Sequence, residues 1–141
     1  MKREKKKVVL DTNIIISAII SQSGAPAKIF ELFLNENIIN YTSEEIIKEL
    51  KRVIHRKEFN RYIDDSGKQF ILCNFQDISL VIRPNTGKKI ISDDPDDDKF
   101  INCALAAKAC IISGDGHLLK LGKYKDVKIL GAKEFLKKYG Q

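Results

Sequence analysis

Short apolar runs alternate with helical repeats along the whole chain. Three or more apolar residues between polar turns predict buried strands, and apolar residues spaced three and four apart predict helices. The predicted strands cover residues 8–10, 38–41, 80–82, 109–113 and 127–130, and the predicted helices cover 14–20, 25–34, 58–75, 94–108 and 132–139. This alternation is typical of an α/β protein with a central, mostly parallel sheet flanked by helices.

Local signals place several helix ends. Thr42, followed by Glu45, forms a capping box that starts one more helix. Its apolar stripe consists of Ile46, Ile47, Leu50, Val53 and Ile54. Asp94 is the expected N-cap of the 94–108 helix, with Pro95 at its first position. The run Asp64-Asp65-Ser66-Gly67 offers a break within the 58–75 helix.

The composition is that of a globular protein. With 141 residues, 43% hydrophobic and 31% charged, the chain fits one domain rather than a disordered, collagen-like or membrane class. We expect a basic N-terminal tail over residues 1–7 and a single domain over residues 8–141. The net charge of +6 suggests a polyanionic partner.

The three cysteines have no CxxC spacing, and we expect the thiols to be buried and inert. Neither histidine has a second ligand at zinc spacing, and His117 is interpreted as a loop residue. No signal-peptide core or membrane-spanning run is present in the sequence, so the predicted location is cytoplasmic, without a membrane partner.

Four acidic residues are predicted to converge on one edge of the sheet. Asp11 directly follows the first strand, and Asp115 lies two residues after the 109–113 strand. Ligands of open parallel sheets bind outside the carboxyl ends of the strands. At about 100° per residue, Asp97 projects along the inward stripe of its helix, and Glu49 lies at the border of the stripe made by its neighbours.

Four close carboxylates stay ionised together only when a cation neutralises them. All-oxygen ligands suit Mg²⁺ or Mn²⁺, and one or two such ions support hydrolysis of a phosphodiester. The predicted reaction is therefore cleavage of a nucleic acid.

Each of these acids also has a structural interpretation. Asp97 and its acidic neighbours are favoured in the first turn of any helix, and Asp11 can be an ordinary N-cap. Glu49 can pair with Arg52 one helical turn on, and Asp115 can be a turn residue. The functional interpretation depends on all four acids meeting.

The ordered set of motifs resembles the PIN-domain nucleases, in particular the stand-alone prokaryotic branch described as toxins of type II toxin–antitoxin systems. The likeness covers almost the whole chain. It rests on Val9-Leu10-Asp11-Thr12-Asn13, Lys48-Glu49-Leu50, Asp94-Pro95-Asp96-Asp97 with Phe100 and Ala104-Leu105-Ala106, Ile112-Ser113-Gly114-Asp115 with Leu118-Leu119, Ile129-Leu130 and Glu134-Phe135-Leu136.

The resemblance implies a three-layer sandwich and a Mg²⁺- or Mn²⁺-dependent endoribonuclease, often homodimeric and inhibited by a small antitoxin protein. The family's metal-binding, catalytic acids correspond to Asp11, Glu49, Asp97 and Asp115, and its polar support positions to Thr12, Asn13 and Ser113. Two residues depart from the usual pattern: Asp98 replaces Asn after the third acid, and Ser113 replaces Thr.

A basic group surrounds the helix that carries Glu49. It comprises Lys48, Lys51, Arg52 and Arg56. Contact with an RNA backbone and a solvated helix face explain these residues equally well. Two other functions stay open for the protein: a non-catalytic nucleic-acid-binding module, and a housekeeping nuclease that processes RNA.

Overall fold

In this computed structural model the described residues are 4–84 and 95–140. They contain six strands and seven α-helices, with 3₁₀ turns at Lys57–Phe59 and Pro95–Asp97. The strands are β1 (Lys6–Leu10), β2 (Ile38–Thr42), β3 (Leu80–Val81), β4 (Cys110–Ile112), β5 (Lys123–Tyr124) and β6 (Val127–Leu130). The helices are α1 (Thr12–Ile20), α2 (Ala25–Leu34), α3 (Glu44–Ile54), α4 (Asp65–Ile78), α5 (Asp98–Ala107), α6 (Gly116–Leu121) and α7 (Ala132–Tyr139).

The six strands form one sheet in the order β3-β2-β1-β4-β6-β5. Every neighbouring pair is parallel except β5 and β6, which are antiparallel. The sheet order reverses at β1, because β2 and β3 continue on one side of it and β4 and β6 on the other. A ligand site in such a sheet is expected at this switch point.

Helices cover the sheet, which confirms the predicted α/β architecture with a mostly parallel central sheet. Helix α5 packs across β1, β2, β4 and β6, while α2 packs on β2, α1 and α7. Val8, Val9 and Leu10 are buried, as are all three residues of β4, since strands covered on both faces expose neither side.

One predicted helix cap is wrong. Thr42 is the last residue of β2, where it pairs with Val81 and its carbonyl accepts a hydrogen bond from Ile82 N. The chain leaves the sheet one residue later, so the cap of α3 is Ser43, whose Oγ accepts from Ile46 N at 3.3 Å. A residue held in a strand ladder is not available to start a helix.

Other element boundaries also differ from the sequence-based prediction. Strand β1 includes Lys6 and Lys7 from the expected tail, and α1 begins at Thr12 rather than residue 14. The 58–75 helix is interrupted, and Asp64 caps α4 through a hydrogen bond from Gly67 N. Helix α6 and strand β5 were not predicted. The expected cap Asp94 lies outside the described residues.

The thiols follow the expectation at two of three positions. Cys103 and Cys110 are buried, and burial raises the pKa of Cys103 to about 12. Cys73 is exposed, because it lies on the outer face of α4 while its neighbours Ile71, Leu72 and Phe75 face the core. None of the helices within residues 4–84 and 95–140 has the length and apolar character to cross a bilayer.

Candidate active site

The ends of β1 and β4 meet where the sheet order reverses. Leu10 pairs with Ile112, and the backbone N–H of Asp11 donates to Ile112 O at 3.0 Å. The residues that follow the two strands, Asp11 and Ser113, therefore leave the sheet side by side. This is the position at which open parallel sheets bind ligands.

Asp11 is a buried carboxylate with only 4% of its surface exposed. It is the N-cap of α1: Oδ1 accepts from Asn13 N at 3.4 Å, and Oδ2 accepts from Ser113 Oγ at 2.6 Å. The pKa of Asp11 is raised to about 6, mainly by burial and also by the charges of Glu49 and Asp115, while the two hydrogen bonds oppose the rise. Three of the predicted acids thus lie within electrostatic reach of one another.

The loop after β4 is fastened to the start of α1. Ser113, which is fully buried, donates to Asp11 and accepts from Asp115 N at 2.9 Å. Asn13 Oδ1 accepts from Gly114 N at 3.0 Å. These contacts of Ser113 and Asn13 hold the Asp115 loop beside Asp11.

Asp115 is partly exposed and begins α6. Its Oδ1 accepts from His117 N at 2.8 Å, which caps the helix. His117 therefore belongs to the first turn of α6 rather than to a loop, because the Asp115 cap starts a helix that two flanking glycines did not suggest. The capping and the functional interpretations of Asp115 are compatible, since its second oxygen faces no cap.

Glu49 reaches the same rim from α3. Thr12 Oγ1 donates to Glu49 Oε2 at 2.5 Å, and Lys99 Nζ lies 2.8 Å from Glu49 Oε1. Helices α1 and α3 pack together and bring these residues into contact across 37 positions of sequence. Thr12 is buried, so its hydroxyl fixes one carboxylate oxygen of Glu49.

Asp97 lies at the end of the 3₁₀ turn that leads into α5. Only 4% of its surface is exposed, whereas Asp96 is exposed and Asp98 partly exposed. The inward direction expected for Asp97 is therefore observed. Helix α5 packs against α3, which carries Glu49, and against β1, which Asp11 directly follows.

Within residues 4–84 and 95–140, no three His, Cys, Asp or Glu side chains are grouped closely enough to hold an ion. In this conformation hydroxyl groups of Thr12 and Ser113 donate to Glu49 and Asp11, and the ammonium group of Lys99 pairs with Glu49. The site thus has an all-oxygen donor set and one internal cation.

Lys99 is a residue that the sequence analysis missed. Its side chain is 11% exposed, it pairs with Glu49, and it donates to Asp96 O at 2.8 Å. Projection on a helix places Lys99 about 200° from Asp97, away from the inward stripe. Only the packing of α3 beside α5 shows that this direction leads to Glu49.

Replacing Lys99 by Met is expected to lower the free energy of unfolding by about 1–2 kcal/mol at pH 7, because Glu49 keeps its charge in a largely buried position. Urea unfolding measures this loss. In the double variant Lys99→Met, Glu49→Gln most of it should return, since no uncompensated charge remains. Simple additivity of the two single effects would contradict the pairing.

The predicted RNA-contacting group is solvent-exposed. Lys48, Lys51, Arg52 and Arg56 all lie on or directly after α3, and none pairs with a carboxylate among the described residues. The structure brings them to the helix that carries Glu49 and leaves their charges available to solvent.

Comparison with known proteins identifies the family. The model of the PIN domain family matches residues 7–117, most of the chain. The chain belongs to the PIN domain family. The family predicted from the sequence motifs is thereby confirmed, and the matched PIN domain region contains all four candidate acids.

Two further similarities extend the comparison. The chain is 38% identical over 148 residues to the uncharacterized protein MJ1680 of Methanocaldococcus jannaschii, covering 99% of this chain and 95% of that protein. The fold of the present chain is also similar to that of a chain of VapBC2 from Rickettsia felis, whose crystal structure was determined with a DNA fragment from the promoter. That match has a TM-score of 0.58 at 17% identity, and covers 89% of this chain and 98% of the other.

Proposed function

We propose that this PIN domain protein is an endoribonuclease that hydrolyses RNA with Mg²⁺ or Mn²⁺. The observation that carries the proposal is the buried carboxylate of Asp11 at the switch point of the sheet, where the charges of Glu49 and Asp115 act on it and its pKa is raised to about 6. A buried carboxylate surrounded by two more carboxylates favours any divalent cation that can reach it.

The donor set fits a hard divalent ion. Asp11, Glu49, Asp97 and Asp115 offer carboxylate oxygens and no nitrogen or sulfur, which suits Mg²⁺ or Mn²⁺ with part of its shell left to water and phosphate. We assign these four residues as its ligands, for one or two ions. Such an ion stabilises negative charge on a phosphodiester and activates a water molecule for attack.

The protein's own groups orient the ligands. Ser113 Oγ donates to Oδ2 of Asp11, and Thr12 Oγ1 donates to Oε2 of Glu49, so a hydroxyl donor fixes the position of one oxygen of each acid. Asn13 holds the backbone of the loop that carries Asp115. Hydrogen bonds of this kind around metal ligands set ligand orientation and tune affinity.

The exposed basic group on α3 supports RNA as the substrate. Lys48, Lys51, Arg52 and Arg56 lie beside the helix position of Glu49, and their charges are unpaired among the described residues. We assign them to contacts with the RNA backbone, which would give cleavage a marked dependence on salt concentration.

The biological setting follows from the family resemblance. We infer that the protein is the toxin of a toxin–antitoxin pair, a cytoplasmic homodimer inhibited by a small antitoxin protein. The shared fold with a chain of VapBC2 supports this setting. Co-expression with the product of an adjacent small gene, followed by co-purification, tests it.

The direct test is RNA cleavage by purified protein with and without Mn²⁺. We expect Mn²⁺ to bind by calorimetry, to raise the melting temperature, and to support cleavage of a single-stranded RNA that EDTA stops. If RNA is bound but Mn²⁺ neither binds nor stabilises, the protein is instead a non-catalytic binding module. Cleavage without toxicity on expression would favour a housekeeping nuclease.

A further inference from the structure

A second concave surface lies at the opposite end of the strands. A cavity of about 680 Å³ opens at the amino ends of β1, β4 and β6, between the end of α5 and the end of α7. Its lining consists of Glu4, Lys5, Lys6, Lys7, Ala104, Leu105, Lys108, Ala109, Cys110, Lys125, Asp126, Val127, Lys128 and Tyr139. We call this the lysine cavity. A volume of this size accommodates a small-molecule ligand such as a nucleotide.

The lysine cavity concentrates positive charge. Six lysines and two acids line it. The ammonium group of Lys7 lies 5.1 Å from the centre of the Tyr41 ring, which is not part of the lining, so the other five lysines against the two acids give a net charge of +3. None of the six lysines forms an ion pair with a carboxylate in the part of the chain that the structure describes. Like charges held together without counter-charges destabilise a fold, and an anionic ligand would relieve the repulsion.

Two of these lysines occupy backbone positions that favour glycine. Lys108, which ends α5, has φ 56°, and Lys125, between β5 and β6, has φ 52°. A side chain in this left-handed region is strained, and glycine is the common residue at such a helix end. The third non-glycine residue with positive φ among the described residues, Glu36, is not part of the cavity lining. Two positions that line the cavity thus have a lysine where backbone stability alone would favour glycine.

The floor of the cavity is apolar and the lysines surround it. Ala104, Leu105, Ala109 and Val127 contribute the floor, and Lys6 Nζ lies 4.2 Å from the centre of the Tyr139 ring. Burial raises the pKa of the Cys110 thiol, and the charges of Lys6 and Lys128 oppose that rise, so both ammonium groups act on the same point of the floor. An apolar surface ringed by cations suits a base or sugar that carries phosphate groups.

We propose that the lysine cavity binds the phosphate groups of a nucleotide, at a site separate from the carboxylate rim. Lys6 and Asp11 lie at opposite ends of β1, roughly 16 Å apart at strand geometry, so one phosphate does not reach both. The nucleotide is either free, as a nucleoside triphosphate, or part of an RNA strand. The site does not require nuclease activity, and Asp11→Asn protein keeps it.

Binding to the double variant Lys108→Gly, Lys125→Gly tests the proposal. Because glycine suits both backbone positions, this variant is expected to fold at least as well as the wild type. Calorimetry with inorganic triphosphate and with ATP, and fluorescence anisotropy with an RNA 12-mer in EDTA, which stops the proposed metal-dependent cleavage, supply the probes. We expect the double variant to bind the probe that occupies the cavity about tenfold more weakly than the wild type does. If that probe is RNA, the slope of the logarithm of the binding constant against the logarithm of the salt concentration should fall in magnitude by about 1.4.

Two matched controls separate the site from general charge. Lys28→Ala, Lys133→Ala removes the same charge outside the cavity and is expected to bind as the wild type. Glu36→Gly relieves the same backbone strain without removing a lysine and is also expected to bind normally. If the double glycine variant binds triphosphate and ATP more weakly than the wild type does, the ligand is a free nucleotide. If only its binding of RNA is weaker, the ligand is an RNA strand.

Three results would overturn the proposal. These are undetectable binding of all three probes by the wild type, unchanged binding by the double glycine variant, and equal weakening by the Lys28→Ala, Lys133→Ala control. If the wild type binds a probe but cleaves no RNA in Mn²⁺, the nuclease proposal fails while the cavity assignment stands.

Discussion

Replacing Asp11 by Asn is expected to abolish metal-dependent RNA cleavage, a loss of at least about a hundredfold in rate. Asn keeps the N-cap acceptor for Asn13 N and a polar partner for Ser113 Oγ, so the local structure is preserved. What is lost is the buried negative charge at the switch point. Cleavage of single-stranded RNA in Mn²⁺ measures the effect.

The same substitution is expected to stabilise the metal-free protein at pH 7. The folded pKa of Asp11, about 6, lies above the value of 3.8 for the free side chain, so the folded state favours the protonated form. The contribution of Asp11 to the free energy of unfolding is fully present below about pH 4 and is lost as the pH rises through 6. At pH 7 the ionised carboxylate costs on the order of 2–3 kcal/mol, which the Asn variant does not carry.

Thermal unfolding in EDTA tests this sign. The variant should melt several degrees above the wild type at pH 7, and the difference should narrow as the pH is lowered to 5 and then 4. In Mn²⁺ the order should reverse, because only the wild type gains a cation. Asp77→Asn, an exposed acid on α4, serves as the matched control and is expected to change neither cleavage nor stability. A wild type that is more stable than the variant in EDTA at pH 7 would contradict the raised pKa.

The largest loss of stability is expected from Asn40→Ala. Asn40 is 1% exposed in β2, where Oδ1 accepts from Leu10 N and Nδ2 donates to Ser79 Oγ, both at 2.9 Å. It therefore joins β1, β2 and the end of α4 immediately before Asp11. Alanine leaves the buried N–H of Leu10 unsatisfied, so we expect a cost of about 2–4 kcal/mol and a fall in melting temperature of roughly 5–15 °C.

Urea or thermal unfolding measures the loss, and hydrogen exchange of the Leu10 amide locates it. Asn74→Ala is the control, since the Asn74 side chain makes one exposed hydrogen bond to Phe70 O in its own helix. That change is expected to cost under about 0.5 kcal/mol. Equal losses in the two variants would show that the Asn40 bridge contributes nothing beyond an ordinary surface hydrogen bond.

Local patterns were sufficient for most elements. Helix α3 has apolar residues at helical spacing with acids in its first turn and bases in its last, and the structure reproduces it with a change of cap from Thr42 to Ser43. The error arose because capping signals compete with strand pairing, and the β2–β3 ladder holds Thr42. Helix α6 was missed because its six residues are too few to show a periodic stripe.

In the candidate site, too, local patterns predicted some residues and only tertiary contacts placed the others. The position of Asp11 at a strand end and the inward direction of Asp97 could be predicted, since both depend on neighbours within a few residues. Lys99 and the lysine cavity could not, because their contacts join residues far apart in sequence, such as Lys99 with Glu49. No periodicity in the chain encodes such a contact.

The motifs of the sequence indicated the family by resemblance. The sequence by itself also determined most of the strands and helices and the end of the sheet that carries the acids. Those properties follow from side-chain spacing along one element and from the parallel direction of the strands. The tertiary structure alone decided that β1 lies at the switch point, that Lys99 neutralises Glu49, and that six lysines meet at the other end. Each of these depends on which elements become neighbours, and this is set by packing of the whole core rather than by any local run of residues.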